Sequence, residues 1–246
     1  MSGLANIRVL VSVRDETEAL AAAAAGVALI DLKEPNDGAL GALPIARIHA
    51  VVRAVKRAGS PARISATVGD LRLDDAAAMA ALPRRIAATA ACGVDWVKVG
   101  VDASTGSPAQ ATALLDLLAS QPTPVVPVFI ADGGVANGLL DHAARHRFPA
   151  WMLDTSDKSR SLLERHDDAT LARFIARAHR TGARAGLAGS LRLADWPRIA
   201  ALAPDVAGFR GAVCAGDRRQ GLDAARLAAL LSTARVGKAA AIATIS

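Results

Sequence analysis

Aromatic side chains are almost missing from this chain: they make up 3% of its 246 residues, and Tyr is absent. Proteins that hold single-stranded nucleic acid stack its bases on such rings, so this class of partner is not expected. Cysteine is equally scarce. Cys92 and Cys214 lie far apart and show no CxxC spacing, so neither a disulfide framework nor a thiolate zinc site is expected. No metal site is expected elsewhere either. His49, His142, His146, His166 and His179 fall mainly in helical segments with no repeated ligand spacing, and they read as solvated or capping residues. No apolar run reaches the ~18 residues of a membrane span. The opening segment "MSGLANIRVLVSVRDE" lacks the long apolar core and cleavage site of a secretory leader. A cytoplasmic protein without membrane contact is therefore expected. The formal net charge is +6, but no Lys/Arg block of the length of a nucleic-acid tail occurs. Dispersed positive charge suits a small anionic substrate.

What is present is regular alternation. Short β-rich runs at 7–13, 27–33, 63–69, 95–100, 124–132, 150–155, 183–190 and 205–211 alternate with alanine-rich helical runs. The helical runs are near 16–25, 44–58, 74–91, 107–120, 135–147, 167–180, 194–203 and 223–235. Strictly alternating strands and helices predict a parallel sheet covered by helices. Eight units within roughly 250 residues predict an α/β fold closed into a (β/α)8 TIM-like barrel, one domain spanning 1–246. Asp15, Asp74 and Ser107-Pro108 read as helix starts, and Gly26, Gly93 and Gly182 as helix stops. The tail 236–246 reads as a frayed end or a short packed segment.

In such a barrel the chemistry sits at the C-terminal ends of the strands. Side-chain alternation in "VALIDLK" turns Val27, Leu29, Asp31 and Lys33 toward the barrel axis, with the polar pair uppermost. The same rule turns Lys98 inward from "DWVKVG" and Thr67 inward from "RISATVG". Asp132 and Asp154 end two further strands, and Lys158 follows Asp154 by four residues. Amines crowded together lose protons more readily than isolated ones. A neutral amine is the nucleophile that forms a Schiff base with an aldehyde or ketone, and a nearby carboxylate moves the protons. Set against this is an ion-pair staple at the barrel rim. That reading suffices for Asp31 and Lys33 alone but not for four such groups at strand ends.

"GLAGSLR" and "GFRGAVC" end the last two strands. Barrels often hold phosphate there on backbone N–H groups. Gly189, Ser190, Arg210, Gly211 and Ala212 are therefore the candidate phosphate-binding residues, with Arg210 as a bidentate contact. Cys214 follows this loop, and Asp217 and Arg218 are close enough in sequence to approach a ligand.

In that order, "DLKEPNDGALGA", "SATVGD", "DWVKVG", "MLDTSDK", "LAGSL" and "GFRGAVC" resemble the (5-formylfuran-3-yl)methyl phosphate synthase family of methanofuran biosynthesis. The family is also called 4-(hydroxymethyl)-2-furancarboxaldehyde-phosphate synthase, or 4-HFC-P synthase. The resemblance implies a TIM-like barrel lyase that needs no cofactor and condenses two molecules of glyceraldehyde 3-phosphate, with loss of phosphate and water. It implies Lys33 as the Schiff-base lysine, with Asp31, Lys98, Asp154 and Lys158 around it. A further family lysine ahead of "SATVGD" has no clear match, Lys56 being the candidate. Two other readings stay open: a class I aldolase acting on another sugar phosphate, and a basic nucleic-acid-binding protein. A homo-oligomer is expected, because alanine-rich helices offer apolar surface for subunit contacts.

Overall fold

The computed structural model describes residues 7–243, with side chains through Arg235. Eight parallel strands close into a barrel in chain order. They are β1 (Arg8–Val13), β2 (Leu29–Leu32), β3 (Arg63–Thr67), β4 (Trp96–Val101), β5 (Val125–Ile130), β6 (Ala150–Asp154), β7 (Arg184–Leu187) and β8 (Val206–Phe209). β1 pairs with β8 through Arg8↔Val206 and Val11↔Phe209, which leaves no free sheet edge. Around the barrel run α1 (Glu16–Ala24), α2 (Ile45–Arg57), α3 (Ala76–Ala91), α4 (Pro108–Ala119), α5 (Asn137–Ala143), α6 (Leu162–Arg165), α7 (Asp168–Arg180), α8 (Trp196–Leu202) and α9 (Ala224–Ala243).

Alternation along each strand divides the core in two. Leu10, Leu29, Val126, Val128, Met152 and Val206 fill the barrel. Val11, Ile30, Val97, Val99, Phe129 and Trp151 face outward into the larger layer beneath the helices. The helices answer with apolar stripes at helical spacing: Ile48, Val51, Val52 and Val55 on α2, and Leu171, Phe174, Ile175 and Ala178 on α7. Each large side chain so buried contributes roughly 1.5–3 kcal/mol. The few aromatics are concentrated here: Phe129, Trp151 and Phe174 pack as a cluster with ring centroids 5.8–6.2 Å apart.

Helix caps follow the local rules. Asp15 accepts from the Glu18 N–H, and Ser107 forms a reciprocal box with Gln110. One start moves by a residue. Asp75, not Asp74, caps α3, because its extended backbone aims its carboxylate at the Ala77 and Ala78 N–H groups. Asp74 instead pairs with Arg72. Two further differences concern length. The loop after β6 contains the extra turn α6, capped by Ser161 and Glu164. The last helix continues past Arg235 to Ala243, while residues 244–246 lie outside the described ones.

Candidate active site

The β2 end sets the geometry. Asp31 and Lys33 share a face two residues apart, and the Lys33 N–H extends the ladder by donating to Val13 O at 3.0 Å. The following "EPNDGALG" loop folds back on itself: the Glu34 N–H donates to Gly41 O at 2.9 Å. A Cβ on Gly41 would lie 2.2 Å from Asp37 O, so only glycine closes this loop. Asp70 fixes the loop from β3's side by accepting from the Ala39 and Leu40 N–H groups.

The two neighbours on β2 do not pair with each other. Asp31 is fully buried and takes Lys98 from β4 at 3.1 Å. It also accepts the hydroxyls of Ser12 at 3.2 Å and Ser65 at 2.5 Å. Lys33 instead reaches toward Asp154 on β6, 3.6 Å away. Asp154 takes Lys158 at 2.7 Å and the Thr155 N–H at 2.8 Å. Lys158 also donates to Thr155 O. The site is thus two interlocked ion-pair groups spanning β2, β4 and β6. Lys33 Nζ alone among the three amines has its nearest carboxylate beyond hydrogen-bond distance.

The electrostatics follow from this arrangement. Burial is the largest influence on Lys33 and brings its pKa from 10.5 to about 8. Asp154 and Asp31 oppose that shift, and Lys158 and Lys98 reinforce it. Burial would raise the Asp154 pKa, but Lys158 and Lys33 outweigh it and hold the group well below the usual carboxylate range. At neutral pH the site therefore offers an amine that deprotonates readily beside a carboxylate that stays charged.

Above these groups opens a cavity of about 540 Å³, lined by Asp31, Lys33, Lys98, Asp154 and Lys158 on one side and by the β7 and β8 loops on the other. Gly189, Ser190, Gly211 and Ala212 contribute to its wall, and their backbone N–H groups carry no hydrogen bond among the described residues. Gly189 has φ +103, and a Cβ there would come within 3.1 Å of Thr155. Ser190 is left-handed at φ 50, a backbone strain of the kind that clusters at functional sites. Its hydroxyl is occupied by Lys158 O at 3.1 Å.

Arg210 departs from expectation. Its guanidinium lines the cavity but is committed to protein: it donates to both carboxylate oxygens of Glu18 and to the carbonyls of Ser12, Arg218 and Gln220. Those five bonds use all five of its N–H donors, so none remains for a bidentate phosphate contact. The physical reason is Glu18 on α1, a buried acid 192 positions away in sequence. Other residues fall outside the cavity. Asp132 caps the loop after β6 through Ser156 and Asp157. Lys56 sits at the opposite end of the barrel, donating to Gly93 O before β4. Thr67 donates to Leu32 O and Gly41 O beneath the site. Cys214 is buried against Arg210 O. His142 and His146 share Asp116 on the outer helices.

Ser12, Ser65 and Glu18 were not singled out from sequence. Ser65 carries a readable signal, since it lies one pleat below Thr67 on the same face of β3. Ser12 breaks an apolar strand in the same way. Glu18 carries none, because a first-turn glutamate reads as a helix-dipole partner.

Closed topology and a mouth lined with amines and carboxylates define this chain as a (β/α)8-barrel enzyme. Among solved structures it is similar to phosphoribosyl anthranilate isomerase from Thermotoga maritima, with TM-score 0.63 at 13% identity, covering 94% of this chain and 99% of that one. A likeness at this identity shows the fold alone. Sequence comparison resolves the family. The profile of the 4-HFC-P synthase family matches residues 9–231. A Methanosarcina acetivorans protein named (5-formylfuran-3-yl)methyl phosphate synthase is 33% identical, over 87% of this chain and 93% of that protein. A Methylorubrum extorquens protein provisionally given the same name is 42% identical, over 94% of this chain and 92% of that protein. The chain belongs to the 4-HFC-P synthase family.

Proposed function

We propose that this chain joins two molecules of glyceraldehyde 3-phosphate into (5-formylfuran-3-yl)methyl phosphate through an imine on Lys33, a step of methanofuran biosynthesis. One observation carries the reading. Lys33 has a pKa lowered to about 8 and its nearest carboxylate at 3.6 Å, whereas Lys98 and Lys158 each hold a carboxylate at 3.1 and 2.7 Å. At pH 7 about a tenth of such an amine is neutral, against roughly three in ten thousand for an ordinary lysine.

The neutral Nζ attacks the aldehyde carbon of the first triose, and the carbinolamine loses water to form the imine. Asp154, 3.6 Å from Nζ, takes the proton from the incoming amine and returns it to the departing hydroxyl. The imine acidifies the adjacent C–H. Loss of that proton expels the β-phosphate of the first triose, with the C–O bond electrons leaving on phosphate. The three-carbon unit that remains forms a carbon–carbon bond to the second triose, and ring closure with dehydration releases the amine. Two trioses minus one phosphate and two waters give the furan, with no net oxidation or reduction. Lys98 and Lys158 hold the site's charge, and Asp31 anchors Lys98. The N–H groups of Gly189, Ser190, Gly211 and Ala212 hold a phosphate at the β7–β8 side.

The test is incubation of the purified chain with glyceraldehyde 3-phosphate, alongside Lys33→Ala. Mass spectrometry follows the six-carbon furan aldehyde monophosphate, and an assay follows released phosphate. Product from the wild type and none from the variant is expected. A wild type that makes no furan but is trapped by borohydride as a triose adduct would instead be an aldolase on another sugar phosphate.

A further inference from the structure

The segment after β8 is built as a strap across the cavity mouth. It leaves at Cys214 and returns at Leu222, where the two residues form an isolated bridge. The Ala215 N–H closes it by donating to Gly221 O at 3.0 Å. Three consecutive strap carbonyls are each held by an arginine. Arg210 donates to Arg218 O at 2.8 Å and to Gln220 O at 2.8 Å, and Arg14 donates to Arg219 O at 2.5 Å. Both arginines converge on the buried Glu18. A buried carboxylate with two guanidiniums is costly to desolvate, and here its output is a loop fixed at three successive peptides.

Arg218 is what that loop presents. Its side chain is half-buried in the cavity wall, and Nη2 donates to Gly38 O at 2.9 Å, across β1 on the β2 side. The other buried or half-buried cations of the wall have carboxylates: Lys98 has Asp31, Lys33 and Lys158 share Asp154, and Arg210 has Glu18. Arg218 has no carboxylate within ion-pair distance among the described residues. Asp217 beside it accepts the Arg219 N–H. Burial draws the Arg218 pKa below its ordinary value, against the opposing field of Asp154. A half-buried guanidinium with no carboxylate at ion-pair distance favours an arriving anion, and its planar fork matches phosphate.

The free N–H groups of the β7–β8 loops provide for one phosphate. A reaction that brings two phosphorylated trioses into one cavity needs a second holder, so the inference rests on the function proposed above. We propose that Arg218 binds the phosphate of the second triose, and that Glu18 is the positioning residue that locks the strap carrying it.

Calorimetry with sn-glycerol 3-phosphate reads this contact without the chemistry, since that molecule has the phosphate but no carbonyl for an imine. Arg218→Gln is expected to weaken binding roughly 10- to 100-fold, the loss typical of a charged hydrogen-bond pair, and Arg218→Lys to recover part of it. With glyceraldehyde 3-phosphate, Arg218→Gln raises KM by a similar factor and changes kcat less. Glu18→Gln raises the same KM by a smaller factor. Borohydride trapping on Lys33 reads the first triose and separates recognition from tethering: Arg218→Gln leaves trapping of glyceraldehyde 3-phosphate in place while furan formation falls. Unchanged glycerol 3-phosphate affinity in both Arg218 variants overturns the proposal. So does a loss of trapping on Lys33 as large as the loss of furan, which would make Arg218 only a loop tether. A wild type that makes no furan, while Arg218→Gln still loses glycerol 3-phosphate, removes the synthase reading and leaves the phosphate contact standing.

Discussion

Asp31 and Asp154 are both buried aspartates near the C-terminal ends of parallel strands, and each is matched to lysine, yet they are built for different ends. Asp31 is closely held. Two hydroxyls and the Lys98 ammonium all reach it within 2.5–3.2 Å. Asp154 is shared. It binds Lys158 and the Thr155 N–H tightly and holds Lys33 only at 3.6 Å. The closely held group acts as a strut that ties β1, β2, β3 and β4 together. The shared one leaves an amine under-held. Chemical type and the number of donors are the same at the two positions; what differs is how closely the facing lysine is held, Lys98 at 3.1 Å from Asp31 and Lys33 at 3.6 Å from Asp154.

The sharpest way to break this comparison is to remove the under-held amine. Lys33→Ala should abolish furan formation, a loss larger than the roughly 10²- to 10⁴-fold expected when a proton-transfer carboxylate is lost in Asp154→Asn. Product formation by mass spectrometry checks both. If Lys98→Ala abolished the borohydride adduct and Lys33→Ala retained it, the roles of the two halves would be reversed.

The strut should reveal itself in stability. Lys98→Met leaves Asp31 buried without its cation and should cost about 3–5 kcal/mol, read by urea denaturation. Lys33→Met should do the opposite. The Lys33 pKa is lowered on folding, so the native state carries a penalty that is full below pH 8 and vanishes as pH rises through the unfolded value of 10.5. The variant should gain up to about 3 kcal/mol at pH 7, with the gain shrinking between pH 8 and 10.5. A constant difference across that window would show that Lys33 titrates normally.

The pH dependence of imine formation should sharpen the contrast further. Trapping should rise with pH through about 8 as Lys33 loses its proton. Lys158→Met removes a like charge, so the limb should move to higher pH. Asp154→Asn removes an opposing carboxylate, so it should move to lower pH. The smallest effect belongs to Ser65→Ala. It deletes one of Asp31's donors and should cost about 1–3 kcal/mol in stability while leaving the pH limb in place.

Much of this site was readable in the chain, and the reason is strand periodicity. Asp31, Lys33 and Lys98 sit on inward positions of strands whose apolar neighbours fix the register, so their faces follow from alternation alone. Gly189 and Gly211 were placed by the regular count of eight units. Pairing was not readable. The proximity of Asp31 and Lys33 suggests a pair, yet Lys98 and Asp154 claim them from strands two and four places around the barrel. Arg210 misled for the same reason: its position at the end of β8 is a phosphate position, but Glu18 on α1 reaches its guanidinium first. Asp132 stands at a strand end as Asp154 does, and its strand ends too early for its carboxylate to turn inward.

The sequence by itself determined the eightfold alternation, the closed barrel, the family and the set of amines and acids at the mouth. All of these rest on local spacing, which a linear chain records directly. Only the tertiary structure decided which acid meets which amine, which lysine is left under-held, and that Arg210 props a strap from which Arg218 faces the cavity. Those outcomes depend on distances between residues up to 192 positions apart. Such distances are set when the barrel closes, because closure alone brings β8 against β1 and α1 beneath the loop that follows β8.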